Sequence, residues 1–375
     1  AGIAIADSLF ASAIVKVAEG SYDIDSSAGE TIVLREGVSV LGGWSGADWA
    51  LRDPDAYVST VADTNASTNG TADAYLAIVD GGSGLTRATR FEGFTLRPAT
   101  RTYVTAFRNT DTSPSIVSNE IGIAGNVSVS GVRSTGGAPL IRANRIVFEA
   151  FGTECRGIVE DGSESDIANC EVRFGSLTEG NVAAIELTNG AQSVIRNCTL
   201  TVGAPFMFGS AYGVSLGGGS TAVIENTVFA TADATHGIRE TDAASDVTVL
   251  RNNFFHGGSS YYYDLDTASS ITTIPDLETV LSAEGCTASG NADGDALFAD
   301  EDGVDDVPMS ATDNDYHLSA ASPAVVRQGG IDGSDPLEAW GYADDLDGVD
   351  RTNDVTDAPG NADAGGWSMG CYEQD

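Results

Sequence analysis

Lysine is almost absent from this chain. One residue of 375, Lys16, is lysine; the other basic side chains are arginine, and together the basic groups number 18 against 55 acidic ones, a formal charge of −37. Such a balance argues against nucleic acid as a partner, because phosphate binding depends on clustered Lys and Arg. Long apolar runs are missing too. None approaches the ~20 residues of a membrane-spanning helix, so no helix is expected to cross a bilayer. Cysteine is scarce and odd in number. Five residues (Cys155, Cys170, Cys198, Cys286, Cys371) do not make a disulfide framework in a chain of this length, and one thiol stays free unless it pairs with another chain. The three histidines, His236, His256 and His317, do not converge on a metal-binding spacing. No Ser-His-Asp order, CxxC pair or phosphate-cradling glycine loop is present, and "GGGS" at 217–220 reads as a turn. An acidic, lysine-poor surface suits a salty or extracellular medium, although a GC-rich genome gives the same preference for arginine. The chain begins at Ala1, as a protein trimmed of a signal peptide would, and as any trimmed chain would.

What is present is repetition. "SVIRNCTLTV" at 193–202 has relatives in "SIVSNEIGI" from Ser115, "LIRANRIVF" from Leu140, "SDIANCEVRF" from Ser165, "AVIENTVFA" from Ala222 and "TVLRNNFFH" from Thr248. Aligned on the first large apolar residue, the anchors are Phe91, Ile116, Ile141, Ile167, Ile195, Ile224 and Leu250, at steps of 25, 25, 26, 28, 29 and 26 residues. A second apolar column follows five positions later: Leu96, Ile121, Ile146, Val172, Leu200, Phe229, Phe255. A third precedes the anchors: Phe107, Val132, Ile158, Ile185, Val214, Ile238, with Ile78 standing in the same relation to Phe91. Short β-branched runs separated by Gly, Ser, Asn and Asp at a fixed period mark a solenoid.

A leucine-rich repeat has a similar period, but its LxxLxL core and any helical segment are missing. The pattern predicts an all-β fold, a right-handed parallel β-helix of roughly ten coils with N- and C-terminal caps. Each coil would hold about three short strands, and neighbouring coils would stack at ~4.8 Å, so that like residues become interior columns. The whole of 1–375 reads as one domain: 1–30 as cap and first coil, 31–258 as main coils, 259–375 as irregular coils and cap. "DLETVLSAEG" reads as a short helix, and the tail is expected to pack over the last coils, whose strand edges need covering. Three positions after the anchor come Phe94, Asn119, Asn144, Cys170, Cys198, Thr227 and Asn253, a turn position suited to an amide ladder. Cys170 and Cys198 would stack there as buried free thiols. Glu120, Arg145 and Glu171 follow at an outward position as a surface ion-pair column.

Several stretches resemble a known group. "IVKVAEGSYDI", "GVSVLGGWSGADWALRDPDAYVSTV" and "FEGFTL", followed late in the chain by "DYHLSAASPAV", "DDLDGVDR" and "GWSMGCYE", are similar to secreted bacterial right-handed β-helix proteins of the choice-of-anchor Q domain group. The resemblance covers most of the chain and implies the fold and export to the cell exterior. Some β-helix relatives cleave acidic polysaccharides, whereas others are adhesins or surface structural proteins. Two positions depart from the group: Val326 stands where its "SPAID" pattern has Asp, and "SMGCYE" replaces "DIGAYE".

Chemistry on a β-helix belongs on outward positions of adjacent coils. A lyase needs a proton-abstracting base and a group that neutralises the uronate, and a hydrolase needs two flanking carboxylates. Glu186 with Arg239, or Glu160 with Glu186, are the catalytic candidates. Tyr261, Tyr262 and Tyr263, with Trp44, Trp49 and Trp340, are candidates for a carbohydrate-binding strip. "NADGD", "DEDGVDD" and "DLDGVD" place oxygens at alternating positions about a glycine, as Ca²⁺ with its about six to eight oxygen ligands prefers. The implied ligands are Asn291, Asp293, Asp295, Asp300, Asp302, Asp345, Asp347 and Asp350. Because the columns are well kept and no reactive cluster emerges, the expected function is a secreted or cell-surface structural or adhesive protein, with self-association as one form. The alternatives are a lyase or glycoside hydrolase acting on acidic glycans, or a non-catalytic carbohydrate-binding module with an extracellular polysaccharide as partner.

Overall fold

A computed structural model describes residues 3, 12–64, 70–71, 75–100, 102–124, 128–150, 153–174, 180–203, 209–231, 235–300, 314–331, 345–347 and 368–372. The chain winds into a parallel β-solenoid of about eight regular turns. Its three sheets, A, B and C, hold ten strands each, and successive strands of one sheet come from successive coils. The expected count of coils is slightly high because the coil at each end is incomplete. The first supplies sheet C with only Ile32–Val33, and the last supplies Thr287–Ser289 and Ala292–Asp293 with no third parallel strand. Among the described residues no helix is long and apolar enough to cross a membrane.

The three sequence columns are the three interior stacks. In sheet A, Phe91, Ile116, Ile141, Ile167, Ile195, Ile224 and Leu250 pair in register and are fully buried. The column from Leu96 to Phe255 does the same in sheet B, and that from Phe107 to Ile238 in sheet C. One register slips by a residue: Val79, not Ile78, stands beside Phe107, and Ile78 is buried at the next position. Large side chains of sheet B press on the backbone of sheet C. A Cβ at Gly213 would lie 2.5 Å from a Phe229 ring carbon, and one at Gly237 would lie 2.9 Å from the Phe255 ring. Glycine at those two positions lets aromatic rungs stack at 4.9 Å, with no room for a side chain opposite.

The turn from sheet A to sheet B is built twice over. Its first residue lies in the left-handed region in every coil: φ is 76° at Gly93, 51° at Ser118, 53° at Ala143, 51° at Asn169, 49° at Asn197, 51° at Asn226 and 52° at Asn252. Asn and Gly tolerate that conformation best, which explains most of the choices. The next residue points inward and forms the ladder. Asn119 Nδ2 donates to Asn144 Oδ1 at 3.0 Å, and Asn253 Nδ2 donates to Asn291 Oδ1 at 3.0 Å. Asn144 Nδ2 also donates to Ile116 O at 2.8 Å, so the buried amide is satisfied within the stack. Cys170 and Cys198 occupy the middle rungs as buried free thiols, donating to Ala168 O and Arg196 O, each at 3.3 Å.

The end of the solenoid is closed by a helix, Ile274–Ala283, started by Thr273, whose hydroxyl accepts from Asp276 N at 3.3 Å. Leu277 and Leu281 on its inner face are fully buried against the last rungs. The tail goes further than the sequence suggests. It does not stop at the end of the stack but lies back along the flank, on the outer face of sheet B, where Val228, Ala230 and Phe254 form a second apolar cluster with Phe298, Tyr316, Leu318, Val326 and Met369. Outward apolar residues on sheet B are what distinguish these coils from a solvated face.

Candidate ligand cleft

A groove follows the corner between sheets A and B, floored by the left-handed turn residues and by the first outward position of sheet B. That second position reads Thr95, Glu120, Arg145, Glu171, Thr199 and Val228 in register. Over the later coils the tail fills the groove through its backbone. Asn226 Oδ1 accepts from Ile331 N at 2.7 Å and its Nδ2 donates to Ile331 O at 2.9 Å, while Asn197 Nδ2 donates to Ser368 O at 3.4 Å. Gly370 N donates to Asn226 O at 2.6 Å and Cys371 N to Thr199 Oγ1 at 3.1 Å.

The tail ends its described path in a charged knot. Tyr372 donates its hydroxyl to Glu171 at 2.7 Å, and Arg145 Nε reaches the same carboxylate at 2.9 Å; Arg173 pairs with the other oxygen and donates to Asn314 O at 2.6 Å. Glu171 is therefore fully buried, which corrects its reading as a surface ion-pair residue: the tail covers that part of the column. His317 lies between Asp347 and Asp315, its ring 4.0 Å from that of Tyr372. The hydrogen bond that His317 donates to Asp347, helped by Asp315 and opposed by burial, pushes His317 up to about 9. The same contact holds Asp347 below the usual carboxylate range, with Arg145 adding to it.

Beyond Tyr372 the groove is open among the described residues. A cleft of about 400 Å³ spans the coils of Gly93, Ser118 and Ala143, walled on one side by Arg52, Pro54, Asp55 and Val58 and at its end by Leu346 and Asp347. Arg52 donates through Nε to Gly42 O at 2.9 Å and pairs through Nη1 with Glu92 at 2.8 Å, but its buried Nη2 has no hydrogen-bond partner among the described residues. A Cβ at Gly93 would come within 2.7 Å of that nitrogen, so glycine is what lets the guanidinium lie over the floor. Glu120 pairs with Arg97 at 2.7 Å, and Arg145 Nη2 donates to Tyr372 at 2.8 Å. The lining carries Arg52 and Arg145 against Asp55, Glu92, Glu120 and Asp347, an excess of two negative charges.

The catalytic pairs expected from sequence are not assembled. Glu160 is in register with Leu187, and Glu186 with Val159, so Glu160 and Glu186 occupy alternate positions and leave the sheet on opposite faces. Glu160 is fully buried, taking hydrogen bonds from Ser163 and Ser165, and burial pushes its carboxyl up to about 7. Glu186 faces outward and pairs with Arg156 at 2.8 Å. Arg239 lies two coils from Glu186 in the same column, with Ser215 between them, and bonds to Tyr212 instead. The tyrosine strip is divided by the same alternation. Tyr262 is buried and donates to Glu240, which burial pushes up to about 7. Tyr261 is half-buried and packs against the main core, stacked on Phe255 at 5.0 Å, whereas Tyr263 is half-buried and lies 5.5 Å from Arg239. Trp44 lies under Lys16, whose ammonium is 3.5 Å from the ring, Trp49 is exposed, and Trp340 lies outside the described residues.

The calcium candidates are dispersed. Asn291 is the last rung of the ladder, its oxygen taken by Asn253, so it cannot ligate without leaving the stack. Asp293 accepts from Tyr261 at 2.6 Å, Asp295 from Leu297 N at 2.9 Å, and Asp347 is held by His317. Asp300 ends a short strand at an exposed position and Asp345 is buried, while Asp302 and Asp350 lie outside the described residues. Among the described residues no three His, Cys, Asp or Glu side chains gather as a metal would require.

Glu120, Arg145 and Asp347 were named from sequence for other roles and the cleft they line was not foreseen, yet a signal existed. The position two after each anchor runs Gly93, Ser118, Ala143, then Asn169, Asn197, Asn226, Asn252, a change from small to amide that marks where the tail begins. No protein-family model, curated protein or solved structure matches the chain. The resemblance to the choice-of-anchor Q group therefore rests on the quoted motifs alone.

Proposed function

We propose that the chain is a secreted or cell-surface β-helix scaffold of the adhesive class, which holds an extracellular partner in the corner cleft without transforming it. One observation carries the reading: every charged group lining the cleft except Asp55 is held in an ion pair. Arg52 is paired with Glu92, Glu120 with Arg97, Arg145 with Glu171, and Asp347 with His317. General acid–base catalysis needs a group that can give or take a proton near neutral pH at the reacting bond. The two carboxyls pushed up to about 7, Glu160 and Glu240, are buried polar groups near the C-terminal ends of sheet C strands and do not line the cleft. The helix over the last rungs also disfavours end-to-end stacking into a fibre, since it covers the strands that a second copy would extend.

The test is incubation of the full chain with a panel of acidic and neutral polysaccharides. The expected result is no new reducing ends and no ultraviolet absorbance from unsaturated uronates. Sustained release of either, lost on substitution of a cleft residue, would show an enzyme and overturn the reading.

A further inference from the structure

We infer that the cleft takes an extended, basic stretch of polypeptide, laid over the coils as the chain's own tail is a few coils away; the inference rests on the non-catalytic reading above. The first ground is continuity. The positions that floor the cleft, Ser118 and Ala143 with Glu120, stand in the same two columns as Asn197, Asn226 and Thr199, which hold the tail. In those later coils the contacts are made to backbone groups: Ser368 O, Gly370 N, Cys371 N and both polar atoms of Ile331. A corner that binds main chain at its later rungs offers the same spacing at its earlier ones.

The second ground is length and shape. Two coil spacings, about 10 Å, separate the rungs of Gly93 and Ala143, the span of about three extended residues. At those rungs the amides are replaced by glycine, serine and alanine, so the floor is lower and a side chain of the ligand can rest where Asn stands further along. The third ground is charge. Within the lining the carboxylates outnumber the cations by two, in a protein of net charge −37. Asp55 makes no ion pair among the described residues, and Glu120 is matched only by the exposed Arg97. This selects against acidic ligands, uronates included, and favours Lys or Arg beside Asp55 and Glu120. Arg52 Nη2, without a hydrogen-bond partner among the described residues, is a buried donor in the wall, suited to a peptide carbonyl.

The experiment is calorimetric titration of the full chain with N-acetylated, C-amidated tetrapeptides: one of alternating Ala and Arg, one of alternating Ala and Glu, and a neutral cello-oligosaccharide in parallel. The basic peptide should bind, weakening with salt, while the acidic peptide and the glucan should not. Glu120→Lys, at an exposed position whose pair with Arg97 adds little to stability, should weaken the basic peptide about five- to tenfold. Ala143→Asn, which fills the room kept for the ligand side chain at a position where φ already suits Asn, should weaken it about threefold. No peptide binding, or binding of both peptides alike and indifferent to these substitutions, would overturn the inference. Glucan binding sensitive to Glu120→Lys would overturn it too but leave the scaffold reading intact, whereas hydrolysis of any bound ligand would overturn that reading instead.

Discussion

Two lengths of one groove are finished differently. Where Asn197, Asn226 and Asn252 project from the corner, the tail is bound and the outward face of sheet B is apolar, with Val228 and Phe254 covered. Where Gly93, Ser118 and Ala143 stand instead, the backbone turn is unchanged, the floor is bare and the neighbouring outward position is charged. The regular columns make the solenoid, and the position just outside them decides what each rung does. Sites on such a scaffold are to be sought where rungs differ.

The comparison is broken most forcefully at the knot where the two lengths meet. Glu171→Ala leaves Arg145, Arg173 and Tyr372 without their shared carboxylate in a buried setting, and should cost about 3–5 kcal/mol in urea unfolding while making the tail sensitive to limited proteolysis. An unchanged urea midpoint would mean that the tail is not fastened there. A smaller effect comes from pH. His317 is pushed up to about 9 from an ordinary value near 6.5, so the hold it gives the tail is complete below about pH 6.5 and is lost as pH rises through about 9. NMR titration should place the His317 midpoint near 9, and His236, which burial lowers, below its ordinary value. In His317→Gln the alkaline loss of tail protection should vanish.

The amide grips come next. Asn226→Ala removes two tail bonds and should cost about 1–2 kcal/mol, whereas Ser118→Ala, at the same place in an uncovered rung, should change stability by less than about 0.5 kcal/mol. Equal costs at the two positions would erase the distinction between the two lengths. The smallest change is expected from Arg97→Ala. It breaks the exposed pair with Glu120 and should shift stability by at most about 1 kcal/mol, read as a melting temperature nearly unchanged at high salt.

Much of this molecule was legible in its sequence, because the three buried columns repeat at nearly constant spacing and any other register would bring polar residues inward. Ile195 and Leu200 point inward in "SVIRNCTLTV", and Cys198 joins the ladder, as the pattern requires. The site was far less legible. Its floor is spread over coils about 25 residues apart, and its walls, Arg52 and Asp347, come from segments that carry no repeat. Glu160 misled because its neighbour Val159 occupies the outward position: strand alternation, not proximity in sequence, decides which carboxylate meets solvent. Glu171 misled for another reason, since nothing local announces that a tyrosine 201 residues later will cover it.

The tail follows the coils in the sequence, and this fixes an order of events during synthesis. The rungs of Val228 and Phe254 can close as soon as they leave the ribosome, but the segments that cover them, from Phe298 to Tyr372, are not yet made. For that interval the nascent protein carries an apolar stripe along one flank, the kind of surface that chaperones or a neighbouring nascent chain would engage. The bare corner at Gly93, Ser118 and Ala143 has no such debt to a later segment. It is ready for its partner before the molecule is finished.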